Sequence, residues 1–388
     1  MPKSLFGSFW FAGFECSTQR RWDQRRLDMI EGAKHDVFCE KDYAACMRHG
    51  LKGARDGFRW HLIEKEPGHY DWSSVRPMLR AARRQRITVI WDLCHYGYPD
   101  WLDLMSDEFS TRFAAFCIAA VRLIREESQN RPFVCPVNEI SFWSWLGGEE
   151  GKINPYTLQQ GDVVKYNLVR AKLKAIRAIR AADAEAFIVN AEPAINIVPD
   201  SLEEHDIVAA AAFHESQYAA TDMTLGRSHT ELGGHMDALD AVGINYYPHN
   251  QWRLRGGYIP LGHHNYRPFS EILEEVYNRY QKPIFIAETG AEHSARASWI
   301  SYVASEVRAA TAKAVPVLGI CLYPITCYPG WDNERMCQVG LFGEADTQGH
   351  RPVNRAVAEE LASQQAMFNA ASTQPSLKFW RPQSASQL

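Results

Sequence analysis

Two glutamates stand where short apolar runs stop, and their settings match. One ends Phe133-Val134-Cys135-Pro136-Val137-Asn138-Glu139; the other lies in Pro283-Ile284-Phe285-Ile286-Ala287-Glu288-Thr289-Gly290. Each run is apolar enough to be a strand buried on both faces, as in a parallel sheet. At the carboxyl end of a barrel strand, a carboxylate projects into the mouth. Two carboxylates facing each other there suit cleavage of a glycosidic bond: one protonates the leaving oxygen, the other attacks or stabilises the anomeric carbon. A single such glutamate would read as a solvated strand-end charge. The matched pair argues otherwise.

Other polar residues fall at corresponding strand ends. Arg59 follows one apolar run, His95 closes Leu93-Cys94-His95, Asn138 precedes Glu139, and Asn245, Tyr246 and Tyr247 end a further run. An arginine beside a nucleophilic carboxylate favours its ionised form, and a tyrosine hydroxyl can orient it. Arg59 and Tyr247 are therefore the candidates to support whichever glutamate is the nucleophile. Histidine and asparagine suit sugar hydroxyls, which need both donors and acceptors. Each also has a plain structural reading, Arg59 as a salt-bridge partner, His95 as a core histidine and Tyr247 as packing. Their joint placement favours the site.

Strand-like runs recur at Phe6–Phe14, Gly53–Trp60, Ile87–His95, Phe133–Glu139, Phe187–Ala191, Ala241–Tyr247, Pro283–Glu288 and Val317–Tyr323. Helical patterns lie between most of them, clearest from Tyr166 to Ala182, where Val169, Leu173 and Ile176 share a stripe beside Arg170, Lys174 and Arg177. Alternating strands and helices imply parallel strands with right-handed crossovers. Eight units predict a single-domain (β/α)8 TIM barrel over residues 1–368, with 369–388 as a loosely held tail. No dinucleotide glycine pattern follows the first strand, which weakens an open doubly wound sheet. The glycine-rich stretch from Leu146 to Pro155 is expected to be a loop over the barrel mouth. Its Gly147–Lys152 segment is one residue short of a phosphate loop and carries two glutamates.

The 388 residues are 46% hydrophobic and 23% charged, with a net charge of −4, a profile of ordinary globular chains that does not favour a nucleic-acid surface. The arginine clusters at 20–26 and 80–86 are expected to be solvated helix faces. Nine cysteines without CxxC pairs read as small buried hydrophobes in a reducing compartment. The aromatic run Phe6–Phe14 lacks the flanks of a signal peptide, and no apolar segment reaches membrane-spanning length. These observations place the enzyme in the cytoplasm, with no nucleic-acid or membrane partner, and leave a homo-oligomer open.

The ordered motifs resemble those of the family 1 glycoside hydrolases, β-glucosidase-like retaining enzymes of the large (β/α)8 clan, from Phe9 to about Ala358. Ser17-Thr18-Gln19 is similar to the glutamine segment that holds the sugar, Phe58-Arg59-Trp60 to the strand-two arginine, and His95 with Pro99 to His-x-x-x-Pro. Asn138-Glu139 resembles the Asn-Glu-Pro acid/base motif with Ile140 in place of proline. Gly243–Tyr247 resembles the strand-six motif, and Ala287-Glu288-Thr289-Gly290 the Thr-Glu-Asn-Gly nucleophile motif. Val339–Leu341, Asp346-Thr347 and Arg351 are similar to the C-terminal pattern. In Tyr323–Trp331, tyrosine replaces the platform tryptophan, Gly330 stands where a glutamate binds the outer hydroxyls, and Trp331 is retained.

The resemblance implies double displacement without a cofactor or metal, Glu288 the nucleophile and Glu139 the acid/base, about 5–5.5 Å apart. It implies a carbohydrate substrate held by Gln19, His95, Asn138, Asn245, Tyr323 and Trp331. Gly330 implies a glycone other than plain terminal glucose, unless Asp332 or Glu334 replaces the missing carboxylate. A carbohydrate-binding barrel without turnover and a transglycosidase using the same intermediate are the alternatives. A metal-dependent hydrolase finds little support, since no His-x-His follows strand one and His263-His264 lies in a loop-like stretch.

Overall fold

In the computed structural model, which describes residues 5–371, the barrel strands are β1 Trp10–Gly13, β2 Gly53–Gly57, β3 Thr88–Asp92, β4 Phe133–Cys135, β5 Phe187–Ile188 with a continuation at Glu192–Pro193, β6 Val242–Asn245, β7 Ile284–Thr289 and β8 Val317–Leu322. All pair in parallel, as strands separated by helical crossovers must. The sheet has nine segments, and those at its two ends are the two halves of β5. One interrupted strand thus pairs with β4 on one side and β6 on the other, aided by the Val189–Ala241 bridge. The sheet closes, and the fold is an eight-stranded (β/α)8 barrel.

Packing follows the pleat. The floor of the barrel is an aromatic plug of Phe6, Phe11, Phe133, Phe187 and Phe285, with the rings around Phe6 at centroid distances of 5.0–5.8 Å. Gly53 is required there, because a Cβ would fall 2.5 Å from the Phe11 ring. Phe6 therefore fills the floor from outside the strand, so β1 is shorter than the expected 6–14 run. Between strands and helices lies a second, larger apolar layer. The helix Gly161–Ala182 buries Val169, Leu173 and Ile176 into it, as its stripe predicts.

Several expectations change. β2 ends at Gly57, so Arg59 lies beyond the strand, at the start of the short helix Trp60–Ile63. Residues 20–26 form a loop closed by an Arg20–Arg26 bridge, its arginines tied to Asp100, Asp23 and Glu334. The 80–86 cluster does lie mostly on a helix, Arg76–Gln85. Ser144–Glu149 is a wide π-helical turn where a loop was expected, continuing the helix Ile140–Trp143. The last helix, Arg355–Ala371, extends into the expected tail, and residues 372–388 lie outside the described residues. The nine cysteines are buried and unpaired. Among the described residues, no helix is long and apolar enough to cross a membrane.

Candidate active site

Glu288 lies within β7, where the register against β6 slips between Ile286 and Glu288. Phe285 and Ala287 already face the barrel interior; the slip turns Glu288 to the mouth as well, the usual effect of a bulge. Gly290 follows because a Cβ there would lie 2.4 Å from the Tyr323 carbonyl. Glu288 Oε1 accepts from Arg55 Nη1 at 2.6 Å, and Oε2 from the Tyr247 hydroxyl at 2.7 Å. Arg55 is the hub of the site. It also forks onto both oxygens of Asp92, at 2.9 and 2.6 Å, and donates to Asn138 Oδ1 at 2.6 Å.

Arg59 does not support Glu288. Its guanidinium pairs with Asp28 at 3.3 Å and Asp36 at 3.5 Å, outside the barrel. The side chain that reaches Glu288 comes from four residues earlier, within β2, because only an interior strand position aims across the barrel.

Glu139 stands opposite in electrostatic character. Its partners are neutral: Asn245 Nδ2 donates to Oε1 at 2.7 Å, and the Tyr96 hydroxyl donates to Oε2. Burial, reinforced by the Glu288 charge, pushes Glu139 up to about 8 against those two hydrogen bonds. The backbone at Glu139 is left-handed, with φ +40°, a conformation that non-glycine residues adopt at a cost. Its surroundings fix it. The Glu139 amide donates to the Ala191 carbonyl at 2.8 Å, and the next two amides, of Ile140 and Ser141, donate to Glu192 Oε1 and Oε2 at 3.0 Å each. Ile140, unlike proline, has an N–H to satisfy in a buried place, and Glu192 satisfies it. The buried ammonium of Lys172 lies within electrostatic reach of Glu192.

His95 and Asn138 are spent largely on the protein. His95 Nδ1 lies 2.9 Å from Asp92 Oδ2, and Nε2 lies 2.9 Å from Asn138 Nδ2, which also donates to Tyr96 at 3.0 Å. The Arg55 bond to Asn138 Oδ1 fixes which end of that amide faces His95. The imidazole therefore accepts at Nε2 and carries its proton at Nδ1. Tyr323 is buried beneath the Arg55 guanidinium, 5.3 Å from the ring centre. Trp331 is half-buried and meets Tyr96 edge-on at 5.8 Å.

Unspent hydrogen-bonding atoms gather among these residues. Both amide atoms of Gln19, Oδ1 of Asn245 and Nε1 of Trp331 are buried without a protein partner. Such atoms are costly unless a ligand or water completes them. Cys16, Asp92 and His95 bring three donor atoms within 4.8 Å of one another, in principle a metal-holding group. Both Asp92 oxygens are committed to Arg55, however, and burial raises the Cys16 thiol well above its usual range. A cation there would face the guanidinium. The residues fit a hydrogen-bonded network instead.

This architecture recurs among solved structures. The chain superposes on a family 1 β-glucosidase from Thermotoga maritima with a TM-score of 0.73 at 15% identity, over 86% of this chain and 87% of that one. It matches the AHE enzyme from Alicyclobacillus herbarius at 0.77 and 16% identity, over 95% and 98%. A rice β-glucosidase in covalent complex with glucose matches at 0.74 and 16%, over 92% and 97%. The chain has the fold of the family 1 β-glucosidases. No family model and no curated protein matches the sequence itself.

At Gly330, where the motif resemblance places the missing outer glutamate, a side chain would be crowded. Gly330 sits in a tight turn where a Cβ would already meet Cys337, Arg335 and Asn333 at 3.2–3.3 Å. Neither expected substitute points inward: Asp332 and Glu334 are exposed, and Glu334 pairs with Arg25. Arg55, Asp92, Tyr96 and Glu192 are the residues that sequence reasoning passed over. Two of them carried a signal, since Ala54-Arg55-Asp56 puts paired charges inside a strand and Tyr96 adjoins His95. For Asp92 and Glu192 the partners are distant in sequence.

Proposed function

We propose that the protein is a retaining β-glycosidase with Glu288 as nucleophile and Glu139 as acid/base. The asymmetry of the two carboxylates carries this reading. Glu288 has a guanidinium countercharge and a tyrosine hydroxyl; Glu139 has only neutral partners and is pushed up to about 8. Environments that separate two carboxyl groups in this way assign the acid and the base. In the first step Glu139 gives its proton to the glycosidic oxygen while a Glu288 oxygen bonds to the anomeric carbon and the aglycone leaves. In the second, Glu139 takes a proton from water, which displaces Glu288 and restores the original anomeric configuration. An acceptor sugar in place of water would make the same intermediate a transglycosylation donor. The uncommitted atoms of Gln19, Asn245 and Trp331 are the expected hydroxyl partners. The unpaired cysteines support a reducing compartment.

Trapping with a slow fluorinated glycoside and mapping the labelled peptide should find the ester on Glu288; a label elsewhere, or none with every glycone tried, overturns the assignment. The raised Glu139 predicts that kcat/KM holds below about 8 and falls above it, as the acid loses its proton. Glu139→Ala should remove this alkaline limb and hurt poor leaving groups far more than activated ones.

A further inference from the structure

A carboxylate that the glycosidase mechanism does not use stands beside this pair. Glu15 lies two residues past β1 and is 7% exposed. The segment that carries it is laid against the end of β3: the Cys16 sulfur is 3.2 Å from His95 Nδ1, and the Thr18 amide donates to the His95 carbonyl at 3.1 Å. The same sulfur lies 3.9 Å from Asp92 Oδ2 and 3.8 Å from the Tyr323 hydroxyl, two groups that flank Arg55. Glu15 thus belongs to a segment packed against the pocket, where burial raises its carboxyl above the usual range against the nearby His95 and the Ser17 hydrogen bonding.

Its hydrogen bonding sets Glu15 apart. Asp92 has Arg55 and His95, Glu288 has Arg55 and Tyr247, Glu139 has Tyr96 and Asn245, and Glu192 has two backbone amides. Among the described residues Glu15 accepts only from Ser17, whose amide is 3.1 Å from Oε1. A carboxylate has about four lone-pair sites, so most of its capacity is free. Gln19, four residues along, adds a buried amide with no partner.

We propose that Glu15 is a sugar-binding carboxylate of this site, one that accepts a hydrogen bond from a glycone hydroxyl and repels glycones bearing a phosphate or carboxylate. The proposal rests on the glycosidase reading and names the substrate class: neutral, hydroxylated glycones. With Glu139 protonated at neutral pH, Glu15, Asp92 and Glu288 still outnumber the Arg55 guanidinium around the pocket. The arginines of the 20–26 loop are committed to Asp100, Asp23 and Glu334, and to backbone carbonyls. No free basic arm is left there for an anion. Glu15 also supplies, from the segment after β1, a carboxylate of the kind that Gly330 cannot.

The test compares wild type and Glu15→Gln, which keeps an acceptor for the Ser17 amide and so preserves the turn. Initial rates at neutral pH are measured on aryl β-glycosides of neutral hexoses and pentoses, a 6-phosphoglucoside and a glucuronide. Wild type should favour neutral glycones. The variant should lose roughly 10- to 100-fold in kcat/KM on the best of them and narrow the neutral-to-anionic ratio, while Glu288 still takes the fluorinated label. An unchanged rate and ratio, or a wild type that prefers an anionic glycone, overturns the role of Glu15 and leaves the glycosidase reading intact. If wild type neither turns over nor is labelled, the glycosidase reading falls instead. Saturation-transfer NMR with the free neutral monosaccharides then decides Glu15: binding weakened in Glu15→Gln supports it, and equal or absent binding overturns it.

Discussion

Arg55 and Asp56 are consecutive residues of β2, and each anchors a buried network of charges on its own face of the strand. On the outer face, Asp56 accepts from Tyr43 at 2.6 Å and meets His35 at 2.9 Å; His35 reaches Asp42 at 2.8 Å, and Arg351 donates to both Asp42 oxygens at 2.6 and 3.0 Å. The His35 ring stacks on Phe14 at 3.8 Å. Among the described residues, no buried polar atom of these side chains lacks a partner. On the inner face, the network of Arg55, Asp92, Glu288 and Asn138 borders the unpartnered atoms of Gln19, Asn245 and Trp331. Burial and charge are common to both. Unspent hydrogen-bonding capacity is not, and it is the better mark of a place built for a ligand.

The sharpest separation comes from Glu288→Gln. It should lower kcat by several orders of magnitude with a much smaller effect on Tm, because the isosteric amide still accepts from Arg55 and Asp92 remains as the countercharge of that guanidinium. Arg55→Met should blur the comparison by harming both activity and folding. It leaves Asp92 and Glu288 without their countercharge, at a cost of about 3–5 kcal/mol in chemical denaturation. An Arg55→Met protein as stable as wild type would show that the inner network contributes nothing to the fold.

The outer network should respond to pH in stability alone. Burial lowers His35, but Asp56 and Asp42 outweigh it and push His35 up to about 9. A folded value above the unfolded one means stability that is complete below roughly 6.5 and lost as pH rises toward about 9. The loss should be on the order of 1–3 kcal/mol, read from denaturation midpoints across that range, and absent in His35→Gln. That variant should keep its kcat. The smallest effect is expected of Glu192→Gln, which weakens the hold on the Ile140 and Ser141 amides. It should cost roughly tenfold in kcat with KM unchanged and shift the alkaline limb assigned to Glu139. A loss of Tm without that shift would assign Glu192 to the fold alone.

The sequence by itself determined the barrel and the places of its strand-end groups. Eight apolar runs with helical stretches between them suffice for that, since parallel strands buried on both faces leave a local signature. Glu139, Glu288, Asn245 and Tyr247 were legible because each ends such a run. Arg59 was expected to support Glu288 because it follows the apolar run of β2, yet Arg55, which shares its strand parity, fills that role. Alternation could not choose between them; only the end of β2 at Gly57, fixed by pairing to Asp92 of β3, leaves Arg55 inside and Arg59 out. Tertiary structure alone brought Asp92 to Arg55, Glu192 to the backbone after Glu139, and Glu15 to the rim of the pocket. Those contacts join side chains from different strands, whose relative placement depends on closure of the whole barrel and on no local pattern.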